Sequence, residues 1–350
     1  MNDRKLPTIR DVAARAGVSL MTVSRVVNKQ SWVSPQTRAK VEKAVAELNY
    51  APNAAARALA GSDDRRVALL YRNTTTSAYL GELLLGALDE AAGHHFHLMV
   101  EQCAPDASAE DIIAQISQAR VSGVIVPPPL CDWAELNEAL ARHAIPAVAI
   151  APDNQHASLM AVAIDDRHAA QDMTRHLIDL GHRRIAFIQG NIQHRASARR
   201  FEGYRQAMAD HGLSIADEWI VQGDFSYRSG LEAAEQLLSL AIRPTAIFAC
   251  NDDMAVAAIT IAHQRQLNVP AELTVCGFDD APLASAIWPS LTTIHQPIRD
   301  MSREAMALLA TAIRGGAQAD ADAPPRHKKL DYRLIRRQSD AVPPHHQRPE

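Results

Sequence analysis

From Val67 onward the chain alternates short apolar runs with amphipathic segments, and this alternation constrains the fold more than any other feature. The runs Val67–Tyr71, His97–Glu101, Gly123–Val126, Ala147–Ile150, Arg184–Gln189, Ala246–Cys250 and Thr274–Gly277 read as strands. Between them Leu80–Ala92, Asp132–His143, Arg167–Leu180, Ser197–His211, Ser226–Leu240 and Asp252–Arg265 carry helical periodicity. Short strands that alternate with helices predict parallel sheets covered on both faces. A chain of 350 residues exceeds one ordinary core, so the strands are expected to divide between two doubly wound sheets. Ligands in such folds sit beyond the carboxyl ends of the strands.

Charge separates the first 66 residues from the rest. They hold 12 Lys and Arg against 6 Asp and Glu, a net +6, whereas the whole chain carries −4. The remaining residues therefore carry −10. A basic head on an acidic body points to a polyanionic partner for the head alone.

Within that head, Thr8 can cap a helix whose apolar face is Ile9, Val12, Ala13 and Ala16. Gly17 supplies a permissive turn, and Ser19 caps a second helix, Leu20–Asn28. Its inward face is Val23, Val26 and Val27; its outward face is Leu20, Met21, Ser24 and Arg25. A third helix opens at Ser34-Pro35 and runs to about Leu48, with Val41, Val45 and Leu48 facing in. Two short helices joined by a glycine turn and braced by a third predict a helix-turn-helix. Its second helix enters a major groove, where Arg25 suits a guanine edge. Thr8, Ser19, Thr22, Ser24 and Asn28 suit phosphates or neighbouring bases.

The run from Ile9 to Asn28, continued through Val33-Ser34, Thr37-Arg38, Glu47-Leu48-Asn49-Tyr50 and Pro52-Asn53, resembles the head of the LacI/GalR family of bacterial regulators. The resemblance implies that Leu20-Met21, the pair opening the recognition helix, sets operator choice. An apolar pair touches thymine methyls but forms few hydrogen bonds, so specificity would lean on Arg25 and DNA shape. Residues 51–66 hold an alanine-rich segment bounded by Asn53 and Gly61, too short to be a stable helix alone. The resemblance implies that two such hinge helices pair in a minor groove, with Asn53, Arg57 and Leu59 as contacts and Leu59 as the wedge.

The resemblance extends over residues 67–338 and implies a periplasmic-binding-protein-like body of two α/β subdomains. The first is expected at about 67–165 and 295–325, the second at about 166–294 and 326–338. Leu291–Ile294 reads as a strand returning the chain to the first subdomain, and Lys329–Ile335 as a strand closing the second. Strand ends nominate Asp165-Asp166, Asn251-Asp252 and Asp279-Asp280 as cleft residues, with Arg200 on a helix and Tyr79 and Phe225 as aromatic walls. Carboxylates, an amide, a guanidinium and an aromatic face suit a polyhydroxylated ligand. The resemblance places effector contacts on Arg200, Asn251 and Asp279, with Phe225 stacking and Tyr79 near the first wall. Helix capping is the alternative role for each acidic pair, Asp252 and Asp280 above all.

Together these readings predict a transcription repressor switched by a sugar or glycoside bound between the subdomains. A homodimer is expected to read a pseudo-palindrome, since no leucine heptads for a larger assembly are seen. Two other classes compete. A sugar-converting enzyme could use Asp165, Asp252 or Asp279 as acid and base, but no nucleophile motif or phosphate loop accompanies them. A transport-type binding protein would fit the body and leave the head unexplained.

The N-terminus leads into no apolar run, and no stretch approaches the ~20 apolar residues of a membrane span. A cytoplasmic protein is therefore expected, with no signal peptide. Cys103, Cys131, Cys250 and Cys276 lack metal-site spacing and read as reduced buried thiols. His94-His95, His97 and His345-His346 read as surface histidines rather than a metal site, and no cofactor is expected. Residues 339–350 are polar and proline-rich and read as disordered.

Overall fold

A computed structural model describes residues 7–27, 33–48, 50, 65–72, 77–153, 159–315 and 327–344. The chain divides into two compact units, residues 1–65 and 66–350. Asn28, the segment holding Asn53, Arg57 and Leu59, and His345-His346 lie outside the described residues.

The head holds α1 (Ile9–Ala16), α2 (Leu20–Val27) and α3 (Pro35–Glu47). Its core is Val12, Ala13, Val23, Val26, Val41 and Ala44. Ala44 takes a buried place beside Val41, while Val45 and Leu48 pack at the margin. Gly17 turns the chain at a φ of 67°, the left-handed conformation that favours glycine.

Among the described residues the body forms two six-stranded sheets. The first runs β11-β5-β4-β3-β1-β2, built from β1 (Arg65–Tyr71), β2 (Phe96–Gln102), β3 (Gly123–Val126), β4 (Ala147–Ile150), β5 (Met160–Ala163) and β11 (His327–Lys329). The second runs β12-β10-β9-β8-β6-β7, from β6 (Ile185–Gln189), β7 (Ile220–Gln222), β8 (Ala246–Ala249), β9 (Thr274–Asp279), β10 (Thr292–His295) and β12 (Arg333–Ile335). In the second sheet all pairings are parallel except β10 with β12. Central strands such as β3, β4 and β8 are buried along their whole length, as sheets covered on both faces require.

Two sequence expectations need correction. Leu291–Ile294 does not lead the strand back to the first lobe; β10 pairs parallel with β9, with Thr292 opposite Cys276 and Ile294 opposite Phe278. The return is made by a helix, Ile298–Gly315, which buries Met301, Ala305, Met306, Leu309 and Ala310. It packs against the helix Ser77–His94 of the first lobe. That crossing is tight, because a Cβ on Gly86 would stand 2.0 Å from the Arg299 carbonyl oxygen. The segment 326–338 also does not belong wholly to the second lobe. β11 joins β5 in the first sheet, with Lys328 opposite Val162, and only β12 joins the second. Among the described residues the chain thus crosses between lobes three times, at 164–165, 296–297 and 330–332.

The tail reading is corrected for residues 339–344, while 345–350 lie outside the described residues. Ser339 is fully buried and Asp340 nearly so. Ser339 accepts the Val275 amide through its carbonyl and the Thr292 amide through its hydroxyl, 2.9 and 2.8 Å away. Asp340 takes His176 at 2.8 Å and Arg336 at 2.9 Å. Polar composition argues for disorder only when water is the sole partner; here strand ends supply partners.

Candidate DNA-reading face and ligand cleft

In the head, the start of each helix is fastened locally. Asp11 accepts hydrogen bonds from both the amide and the hydroxyl of Thr8, each at 2.7 Å. Thr8 is thereby spent on holding α1 in place. Ser19 accepts the Thr22 amide at 3.2 Å and exchanges a hydroxyl bond with Thr22 at 2.9 Å. Ser34 accepts the Thr37 amide at 3.3 Å, with Pro35 in the first turn. These caps fix α2 with Val23 and Val26 inward. Leu20 and Met21 are left 45% and 65% exposed, and Arg25 is exposed on the same helix. One face of α2 therefore offers two apolar contacts, a guanidinium and small hydroxyls, the equipment of a major-groove reader.

In the body, a cavity of about 100 Å³ is lined from both lobes. Tyr79 and Arg72 come from the first lobe; Arg200, Phe225, Asn251 and Asp279 come from the second. Five of the six predicted effector residues therefore meet in one cleft. Asp165 does not. Its carboxylate accepts the His168 amide at 3.0 Å, capping the helix Asp166–Asp179, and pairs with Lys329 at 2.7 Å. The alternative weighed for the acidic pairs, helix capping, is its observed role.

Arg200 organises the cleft floor. Its Nε donates to Asp166 at 2.8 Å, one Nη to the Cys250 carbonyl at 2.7 Å and the other to Gln296 at 2.8 Å. Its guanidinium lies 3.6 Å over the Phe278 ring. Burial disfavours its charge, and the Asp166 and Asp279 carboxylates more than offset that penalty. Asn251 caps the helix Asp252–Gln264 through its oxygen and donates its amide to the Phe225 carbonyl at 2.9 Å. This bond holds Phe225 at a φ of 74°, its ring 5.1 Å from that of His194. Gly190 makes room for the ring, since a Cβ there would approach it to 2.2 Å. Burial, then the charge of Arg200, presses His194 down to about 4, so it is neutral at pH 7.

Asp279 differs from its neighbours. Its φ is 113°, and burial pushes its carboxyl up to about 7 against the pull of Arg200. Its Oδ1 is buried and accepts no hydrogen bond; the nearest cation, Arg200, stands 3.6 Å away. Burial and the charge of Asp279 likewise raise the Tyr79 phenol far above its ordinary range, leaving it a neutral donor. Asp252 and Asp280 are neither caps nor cleft ligands of the Arg200 group. Asp252 bolts Thr293 and the Ala281 amide together at 2.6 and 2.7 Å. Asp280 pairs with Arg337 at 2.6 Å and His295 at 3.0 Å.

Sequence reasoning did not nominate Gln296, His194 or Arg72 for the cleft. Gln296 sits on a lobe crossing, and the crossing had been assigned to the wrong element. His194 and Arg72 lie just outside regular elements, where periodicity is silent. Asp166 was visible only as the neighbour of Asp165, and the structure gives it the role expected of its partner. The four cysteines are reduced and buried, and His94 pairs with Glu90 at 2.8 Å. Among the described residues no cluster of metal-ligating side chains occurs, and no helix is long and apolar enough to cross a membrane.

A helix-turn-helix head joined to a two-lobed α/β body with a ligand cleft defines a ligand-responsive DNA-binding regulator. The family model for LacI-type bacterial regulatory proteins matches residues 8–53, and that for a periplasmic-binding-protein-like domain matches residues 174–339. The catabolite control protein A of Priestia megaterium is 36% identical over 304 residues, 86% of this chain and 91% of that protein. The chain belongs to the LacI family of transcription regulators. Among solved structures, a lac repressor dimer bound to operator and the anti-inducer ONPF matches with a TM-score of 0.84 and 29% identity, covering 96% of this chain and 100% of that one. The regulator CelR in complex with cellobiose matches with a TM-score of 0.71 and 30% identity, covering 95% and 99%.

Proposed function

We propose that this regulator represses transcription as a homodimer on a pseudo-palindromic operator and is switched by a polyhydroxylated, sugar-like effector in the cleft. The observation that carries the reading is Asp279, a buried acceptor without a donor, beside Arg200 and Phe225 in a cavity walled by both lobes. Hydroxyl groups supply such donors, and an aromatic ring covers the apolar face of a sugar. Arg200 is nearly saturated by protein partners and Asn251 is committed at both ends, so they position the cleft more than they grip the ligand. Asp279, Tyr79 and Phe225 are the direct contacts in this reading. Leu20, Met21 and Arg25 read the operator, with Ser19, Thr22, Ser24 and Asn28 as supporting contacts and Asn53, Arg57 and Leu59 in the hinge. The likenesses to a repressor dimer on its operator and to a regulator complexed with cellobiose support the assembly and the effector class.

The switch is a two-state linkage. Ligand that contacts both lobes favours one relative arrangement of them, and operator DNA favours another. Coupling of this kind is typically about 1–3 kcal/mol per effector and is reciprocal. The protein binds the ligand without converting it and works in the cytoplasm. Selection from randomised duplexes with the full chain, at physiological salt, should recover a pseudo-palindrome. That duplex is then titrated against sugars, whose effect reads the sign of the switch directly. Operator DNA should shift sugar affinity about 5- to 150-fold, the same factor by which the sugar shifts operator affinity. Equal sugar affinity with and without operator, for a sugar that alters operator binding, would break the linkage.

A further inference from the structure

Two arginines line the cleft, and only one of them is neutralised. Arg200 has Asp166 at 2.8 Å and Asp279 at 3.6 Å. Arg72 follows β1 on the first lobe, and among the described residues no carboxylate lies within ion-pair reach of it. Its guanidinium stands 4.5 Å over the Trp133 ring, and one Nη donates to the Ala107 carbonyl at 3.1 Å. Its Nε is buried and has no acceptor. The nearby Cys103 is no counter-ion: burial pushes that thiol up to about 11 against the pull of Arg72, so it is neutral at pH 7. A half-buried guanidinium with an open donor and no counter-charge is a costly arrangement in a narrow cleft. An anion relieves the cost, and the planar fork of arginine favours a carboxylate or phosphate above other anions.

The opposite wall tells the anion which way to face. Asp224 and Asp279 both line the cavity on the second lobe. Asp224 stays ionised, since burial raises it less than hydrogen bonds from Ser226 and Ser229 lower it. An anionic group is repelled from that wall and drawn to Arg72, while hydroxyls meet the acceptors of the second lobe. We propose that the effector is an acidic sugar, carrying a carboxylate or phosphate that Arg72 receives while its hydroxyls engage Asp279. This rests on the reading of the cleft as a sugar site and deepens it. It also gives the ligand two unlike ends for two unlike walls, so the acid ties the lobes together more firmly than a neutral sugar, which meets the first lobe through Tyr79.

The test is calorimetric titration of the full-length protein with matched sets: hexoses, pentoses and disaccharides, each beside its uronate or aldonate and its phosphate. One acid should bind about 10- to 100-fold tighter than its neutral parent, the value of a hydrogen bond to a charged group. The carboxylate and phosphate arms decide which anion is meant. Arg72→Gln should erase that preference, costing the acid at least about ten times more affinity than its neutral parent, and Arg72→Lys should restore part of it. Thermal unfolding of ligand-free Arg72→Gln checks that the fold is intact. If Arg72→Gln weakens acid and neutral sugars equally, or the wild type prefers neither, Arg72 is only a clip on Trp133 and Ala107. The acidic-sugar inference then fails while the sugar site stands. If no member of any set binds, or if binding survives Asp279→Asn unchanged, the sugar site itself fails and takes the inference with it.

Discussion

In the head, the bonds that shape the reading face join residues three apart: Thr8 with Asp11, Ser19 with Thr22, Ser34 with Thr37. In the body, the bonds that shape the cleft join Arg200 to Gln296, Asp252 to Thr293 and Asn251 to Phe225, residues 96, 41 and 26 apart. The first kind of site is written in a contiguous stretch and presented outward on one helix. The second exists only when several strand ends and a lobe crossing have come together, and its polar groups are buried with it. A substitution in the first should alter recognition and little else. One in the second should disturb the fold before it disturbs the ligand.

The largest effect expected from that contrast is on Arg200. Replacing it with alanine removes three hydrogen bonds and leaves the buried Asp166 with Arg199, 3.1 Å away, as its remaining cation. Breaking one side of a buried charged pair costs about 3–5 kcal/mol. Urea unfolding followed by circular dichroism should show the body's midpoint falling by that equivalent. An unchanged midpoint would mean the floor of the cleft is no more integrated than the head's surface.

Next in size is a pH effect that should belong to the body alone. Asp279 titrates at about 7 when folded, against about 3.9 in an unfolded chain. A carboxyl raised on folding contributes stability that is complete below about pH 4 and lost as pH rises through about 7. The wild type should lose on the order of 2–4 kcal/mol over that window relative to Asp279→Asn, whose side chain does not titrate. Parallel stability curves for the two proteins between pH 4 and 8 would remove Asp279 from the account.

The smallest of the three changes, and the most local, is Arg25→Ala. Arg25 is exposed and carries no ion pair among the described residues, so stability should hold within about 0.5 kcal/mol. Affinity for the selected operator should fall by about 1–3 kcal/mol while salt-dependent binding to random duplex persists. Equal losses on both duplexes would make Arg25 a phosphate contact, and the head would then read its site through other residues.

The same contrast decides what was legible in the sequence. The helix-turn-helix could be read residue by residue, because its signals, Thr8, Gly17, Ser19 and Ser34-Pro35, act on their own neighbours. The strands β3 and β4 could be placed to the residue, since an apolar run between polar flanks determines them. Asp165 and Asp166 could not be separated. Adjacent carboxylates at a strand end look alike until the helix start selects one for capping and turns the other toward Arg200. β7, with only three residues, carries too short a pattern to stand out. Residues 327–335 form two strands in different sheets, and no local signal says which sheet a three-residue run will join. Ser339 and Asp340 were misjudged because their partners, Val275, Thr292 and His176, are remote in sequence.

The three crossings at 164–165, 296–297 and 330–332 also bear on inheritance. Each lobe is encoded in separated pieces, and the pieces interleave along the gene. A single recombination breakpoint inside the body therefore never trades one lobe and leaves the other intact; at least one lobe is stitched from two parents. A breakpoint between 200 and 296 also draws Arg200 and Gln296 from different histories. The head, residues 1–65, is the portion that one breakpoint exchanges whole. In a chain built this way, one event pairs an established cleft with a new operator.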